Sequence, residues 1–113
     1  MAGRRPGRSP PRRLSVDADW LLQHTRQSPT LLRARVQEYA AAASGPTLAT
    51  TLASAADAAL TQVLSHPGDR SIALDLLAAD ALITLALLAQ AQSAPEQLEE
   101  FAGSVLGSWR SRS

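Results

Sequence analysis

The chain has 113 residues and a mass of 11.9 kDa, enough for one domain that buries roughly 65% of the surface its unfolded form exposes. Apolar residues make up 45% and aromatics only 4%, so any core is aliphatic; cysteine is absent, which excludes disulfides, thiolate metal sites and cysteine nucleophiles. The net charge of +1 conceals an asymmetry, because residues 1–13 carry five Arg and no acid while residues 14–113 carry six Arg against ten Asp and Glu. No lysine is present; with the Ala excess, this points to a high-GC bacterial coding sequence.

Residues 1–13, MAGRRPGRSPPRR, hold almost nothing apolar, and such a segment cannot offset its own ordering entropy. The expectation is a disordered tail followed by a single helical domain over residues 14–113. Arg4, Arg5, Arg8, Arg12 and Arg13 are candidates for binding an anion such as nucleic acid, anionic lipid or an acidic protein. The plainer reading is a solvated leader or an upstream start-site extension. A twin-Arg export signal needs a long apolar segment after the Arg pair; Asp17, Asp19, Gln23 and His24 interrupt it, so the expected compartment is the cytoplasm.

Helix punctuation then recurs at short intervals. Ser15 suits the N-cap of a first helix, with Asp17 in its opening turn, Val16, Trp20 and Leu21 on one side, and an end near Gln27. Ser28-Pro29 reads as an N-cap followed by Pro at the first helical position. The second helix carries Leu32, Val36, Tyr39, Ala40 and Ala43 on one face, and Gly45-Pro46 stops it, Gly45 suiting a left-handed cap. A third helix has the cleanest period: Leu48, Leu52, Ala55, Ala56, Ala59, Leu60, Val63 and Leu64 form a stripe, with Thr47, Thr50, Thr51, Ser54, Asp57, Thr61 and Gln62 mostly elsewhere. His66-Pro67-Gly68 closes it. Asp69 or Ser71 caps the fourth helix, and Ser93-Ala94-Pro95-Glu96 has the form of a capping box for a fifth. That last helix aligns Leu98, Phe101, Ala102, Val105, Leu106 and Trp109. No alternating strand pattern competes. The expected fold is all-α, a compact bundle of four to five helices.

The fourth helix, SIALDLLAADALITLALLAQAQ, is almost pure Leu, Ile and Ala. A membrane span wants about 20 consecutive apolar residues. The longest run here free of Asp, Thr and Gln is Leu85 to Ala89, five residues, which argues against spanning. A helix apolar nearly all round is expected to be buried nearly all round, as the central helix of the bundle. Asp75 and Asp80 lie about 140° apart on the helical wheel and so do not form one carboxylate pair. They are candidates for a polar site, or for core ion pairs with Arg33, Arg35 or Arg70. Carboxylate metal bundles use a Glu-x-x-His motif that is missing here.

Little else carries chemistry. There is no Gly-rich phosphate loop and no nucleophile elbow, and His24 and His66 have no second ligand at metal spacing. No cofactor is expected, and enzyme activity is not. Without Asn or Lys, base readout by a recognition helix is poorly provisioned. The small residues Ala40 to Ala43, Ala55, Ala56, Ala59, Ala78, Ala79, Ala81 and Ala86 permit close helix approach, and the excess of Leu on the fourth helix suggests self-association. The expectation is a non-enzymatic helical module that binds protein partners and forms a homodimer. Leu82, Leu85, Leu106 and Trp109 are the candidates for its interface. The alternatives are a small-ligand or regulatory binding bundle with a pocket along the fourth helix, and a nucleic-acid-associated protein using the Arg tail.

Overall fold

The computed structural model describes residues 18–66, Gly68 and residues 71–112. The expectations for the Arg tail, Ser15, Val16, Asp17, Asp69 and Arg70 lie outside the described residues. Within them the chain is an all-α bundle. Helical residues 18–24 (α1) are followed by α2 (Thr30–Ala42), α3 (Leu48–Ser65), α4 (Ile72–Ser93), a single 3-10 turn at Pro95–Gln97, and α5 (Leu98–Arg112).

The helix ends refine the punctuation expected from sequence. Pro29 stands at the N-cap of α2, one residue earlier in helical register than expected, and its carbonyl accepts from the Arg33 amide at 2.9 Å. Gly45 does not adopt a left-handed conformation: α2 ends at Ala43 in extended backbone, and the one positive-φ glycine among the described residues is Gly68, at φ 89°. Gly45 is needed for space instead. A Cβ there would sit 2.8 Å from Thr50 Oγ1 and 3.0 Å from the Thr51 amide nitrogen, so the absent side chain lets the linker lie against the first turn of α3. That turn is closed by a capping box made of two threonines. The Thr50 amide donates to Thr47 Oγ1 at 3.1 Å, and the Thr47 amide donates to Thr50 Oγ1 at 3.0 Å.

The capping box expected at Ser93 does not form. α4 continues through Ser93, whose hydroxyl donates back to the Ala89 carbonyl at 3.0 Å. The reason lies one turn earlier: the Gln90 carbonyl accepts from the Ala94 amide at 2.8 Å, and the Gln90 side chain donates to the Ala94 carbonyl at 3.2 Å. Buried Gln90 thus pins the bend, and Pro95 starts the 3-10 turn in place of a capped α-helix.

The core is the seam between α3 and α4. Ala49, Ala55, Ala56 and Ala59 on α3 and Ala78, Ala79, Ala86 and Ala89 on α4 are buried, with Leu52, Leu82 and Leu85 filling between them. Small side chains at a helix seam permit close approach of the two axes. α2 lies across both helices and contributes Val36, backed by Leu32, Tyr39 and Ala40; α1 adds Leu21 and Trp20; α5 packs mainly on α4 and the 3-10 turn, with Phe101 against the core.

Burial of α4 is one-sided, which corrects the expectation of a helix covered nearly all round. Its neighbours take the side carrying Asp75, Ala78, Ala79, Leu82, Leu85, Ala86, Ala89 and Gln90, and leave Leu76, Leu77 and Leu88 exposed. α3, with 18 residues, and α2 cover the inward side of the 22-residue α4 without encircling it. Taken whole, Ile72–Ser93 is also long and apolar enough to cross a membrane by length and composition, so the argument from its longest uninterrupted run is too strict. The core helix of a globular protein meets the same test.

Candidate functional site

The polar centre of the molecule grows from one acid. Asp75 lies in the first turn of α4, where the helix dipole favours negative charge, yet its side chain faces inward. α2 meets it with two residues four apart, and therefore on one helical face. Arg35 Nη1 donates to Asp75 Oδ1, and Tyr39 Oη donates to the same oxygen at 2.9 Å. On the outer side, Arg35 Nε lies 3.4 Å from Glu38 Oε1. One guanidinium thus bridges a buried and an exposed carboxylate, and a phenol completes the coordination of the buried one.

The electrostatics follow from that arrangement. The hydrogen bond to Asp75 holds Arg35 charged more firmly than usual, with the charges of Asp75 and Glu38 adding to it against partial burial. Tyr39 is pushed up to about 12, first by burial, then by its hydrogen bond to Asp75 and the charge of that carboxylate. At neutral pH Tyr39 is therefore a proton donor to Asp75 and not a base. The cluster opens onto a shallow depression of about 600 Å³, whose lining also includes Glu38, Ala42, Ala58, Thr61 and Gln62. Among the described residues, no group of three His, Asp or Glu side chains is arranged to hold a metal ion.

Of the site residues expected from sequence, the structure joins only Asp75 and Arg35. Asp80 is exposed on the far side of α4. Arg33 is half-buried and reaches back to the Arg26 carbonyl, 3.5 Å from its Nη1. Arg70 lies outside the described residues. Leu82 and Leu85, expected as interface candidates, are instead inside the chain's own core, because the seam with α3 claims that side of α4. Leu106 is exposed, and the side chain of Trp109 lies outside the described residues. His24 stacks on Trp20 with ring centroids 4.1 Å apart, and Trp20 Nε1 donates to Gln92 Oε1 at 2.9 Å, tying α1 to the end of α4.

Two features escaped the sequence reading. Tyr39 falls in the apolar stripe of α2, and its four-residue spacing from Arg35 places both on the face that meets Asp75. The exposed leucines Leu31, Leu64, Leu76 and Leu77 were not singled out as a surface. Comparison of the chain with family models, curated proteins and solved structures finds no match.

Proposed function

We propose that this chain is a non-enzymatic helical protein–protein interaction module that self-associates. The observation that carries this reading is exposed aliphatic surface near the α3–α4 connection. Single exposed leucines are ordinary on protein surfaces. Here Leu76 and Leu77, adjacent in the second turn of α4, are 52% and 54% exposed, and Leu64, in the last turn of α3, is 55% exposed. The adjacent pair Leu76 and Leu77 presents apolar surface of the kind that binding faces use. The reading treats α4 as a core helix and not a membrane span, since Asp75 in its first turn is clasped by Arg35 and Tyr39 from α2.

The test is sedimentation of the full chain from low to high micromolar concentration, alongside an affinity pull-down from the native host. Concentration-dependent association or a reproducible partner supports the module. A monomer throughout, with no partner, ends it.

A second reading, a small-ligand binder, is favoured by the depression beside Arg35, Tyr39 and Asp75. Its weakness is chemical: the charged groups there already engage one another, so a polar ligand must compete with those contacts. An unexplained bound mass in native mass spectrometry would favour it over the first.

A further inference from the structure

The outward face of α4 is symmetric about its most buried leucine. Leu82 is fully buried. At about 100° per residue, the positions across the helix axis from it are 73, 77, 80, 84, 87 and 91, flanked by 76 and 88. These fall into pairs at equal steps on either side of Leu82: Ala73 with Ala91, Leu76 with Leu88, Leu77 with Leu87, and Asp80 with Thr84. The structure leaves Ala73, Leu76, Leu77, Asp80, Thr84 and Leu88 exposed, and Leu87 and Ala91 half-buried.

A two-fold axis perpendicular to a helix brings each position level with its equal-step counterpart on an antiparallel second copy. That is the condition of an isologous interface, in which residue i meets j and j meets i. Asp80 with Thr84, Leu77 with Leu87 and Ala73 with Ala91 meet across the middle of the seam, while Leu76 and Leu88 flank it on opposite edges. On this face leucine then meets leucine, alanine meets alanine, and the Asp80 carboxylate lies opposite the Thr84 hydroxyl. The leucine and alanine matches come cheaply in so Leu- and Ala-rich a helix. The polar match does not: the two polar residues of the face fall in one pair, so neither is set against a leucine. The two Asp80 carboxylates are also offset, by four residues or about 6 Å of helix rise. Thr84 Oγ1 donates to the Asp80 carbonyl of its own helix at 2.9 Å in the single chain, so pairing with the second copy's Asp80 carboxylate requires that hydroxyl to turn its proton from the backbone to the partner.

We propose that a second copy of this chain covers the face, its α4 antiparallel to the first, with the two-fold axis passing on the side opposite Leu82. This rests on the self-association reading and gives it a surface and a geometry. From Ala73 to Ala91 the face runs about 27 Å at 1.5 Å per residue. One helix-on-helix contact of that length is smaller than the ~800 Å² per partner of a standard interface, so the pairing is a weak, concentration-dependent one.

The chain has no cysteine, so single introduced thiols report cleanly. Asp80→Cys and Thr84→Cys proteins, mixed in equal amounts under mild oxidation, are expected to give a heterodisulfide well above its statistical share of about half. Dominance of the two homodisulfides means parallel pairing and overturns the geometry; a statistical mixture, or no disulfide, overturns the contact. Leu76→Glu and Leu88→Glu alter outward positions and are expected to raise the dimer dissociation constant at least tenfold while circular dichroism stays helical. Asp80→Asn removes the offset like charges without touching the core and is expected to tighten the dimer several-fold; a weaker dimer counts against the proposal. A wild-type chain that stays monomeric at high micromolar concentration removes self-association and this face together. A wild-type dimer indifferent to Leu76→Glu and Leu88→Glu but dissociated by Leu106→Glu keeps self-association and overturns the α4 face. Flotation of the wild-type chain with phosphatidylcholine vesicles, lost in Leu76→Glu, assigns the face to lipid and likewise overturns it.

Discussion

Removing Arg35 tests whether the clasp between α2 and α4 is asymmetric. In Arg35→Met the aliphatic stem is retained and the charge lost, so Asp75 keeps only the neutral Tyr39 hydroxyl as a donor at Oδ1 among these partners. Breaking a fully buried ion pair by removing one partner costs about 3–5 kcal/mol, because the remaining charge is left uncompensated. The Asp75 side chain is only 6% exposed, but that of Arg35 is 29% exposed, so water enters the vacated space and recovers part of the loss. The expected cost is therefore about 2–3 kcal/mol, a large share of the 5–15 kcal/mol typical of a domain. The converse change should cost less. In Asp75→Asn the acceptor oxygen is kept, and Arg35 retains both solvent and Glu38, so about 1 kcal/mol is expected. Arg35→Met with Asp75→Leu leaves no buried charge and should recover much of the loss. The assay is urea denaturation followed by circular dichroism, with the Asp75→Leu single mutant added so that it, Arg35→Met, their double mutant and the wild type form a double-mutant cycle. Equal losses for Arg35→Met and Asp75→Asn, or a loss under about 0.5 kcal/mol for Arg35→Met, refute the reasoning.

The chain's only tyrosine makes a second measurement direct: ultraviolet titration of Tyr39 should show a midpoint at about 12, moving back toward 10 in Asp75→Asn. Because the folded state holds the phenol proton more tightly than the unfolded chain, this contribution to stability is complete below pH 10 and is lost as pH rises through about 12. A midpoint near 10 in the wild-type chain would contradict the clasp. Gly45→Ala is expected to destabilise by about 1–3 kcal/mol through overpacking against Thr50 and the Thr51 amide. Gly103→Ala in α5 meets nothing within 4 Å and should stabilise by up to about 1 kcal/mol; thermal melts of the two check the contrast. Thr47→Ala removes the capping acceptor of α3 and should cost about 1 kcal/mol in the same melts, with little change for Ser93→Ala, whose hydroxyl only bonds back within α4.

The helices were legible because Leu and Ala recur at helical spacing between Pro and Gly breakers, and the contribution of Val36, Leu52, Ala55, Ala56 and Ala59 to the core followed from that spacing alone. Their ends were less so. Thr47 and Thr50 cap α3 with a residue pair that lacks the usual Glu or Gln, and Ser93 was drawn into α4 by Gln90, a long-side-chain effect no local pattern encodes. Separating Asp75 from Asp80 needed only the helical wheel. Choosing Arg35 over Arg33 did not follow from sequence, since the orientation of α2 against α4 is fixed by tertiary packing. The same reason hid the bare side of α4. Its sequence is nearly uniform in hydrophobicity, so the chain around it, and not its own residues, decides which side stays dry.

The alanine seam between α3 and α4 has a consequence for how this chain can change over generations. An alanine has no side-chain rotamers to lose on folding, so closing the seam forfeits almost no side-chain entropy. It also has no rotamer into which it can retreat when a neighbour grows. At Ala55, Ala56, Ala59, Ala78 and Ala86, all without solvent exposure, one added methyl group must be absorbed by moving a helix axis. Substitutions that the fold tolerates should therefore lie on the solvent faces, where helix position does not depend on the size of a single side chain, while the seam admits few changes in composition.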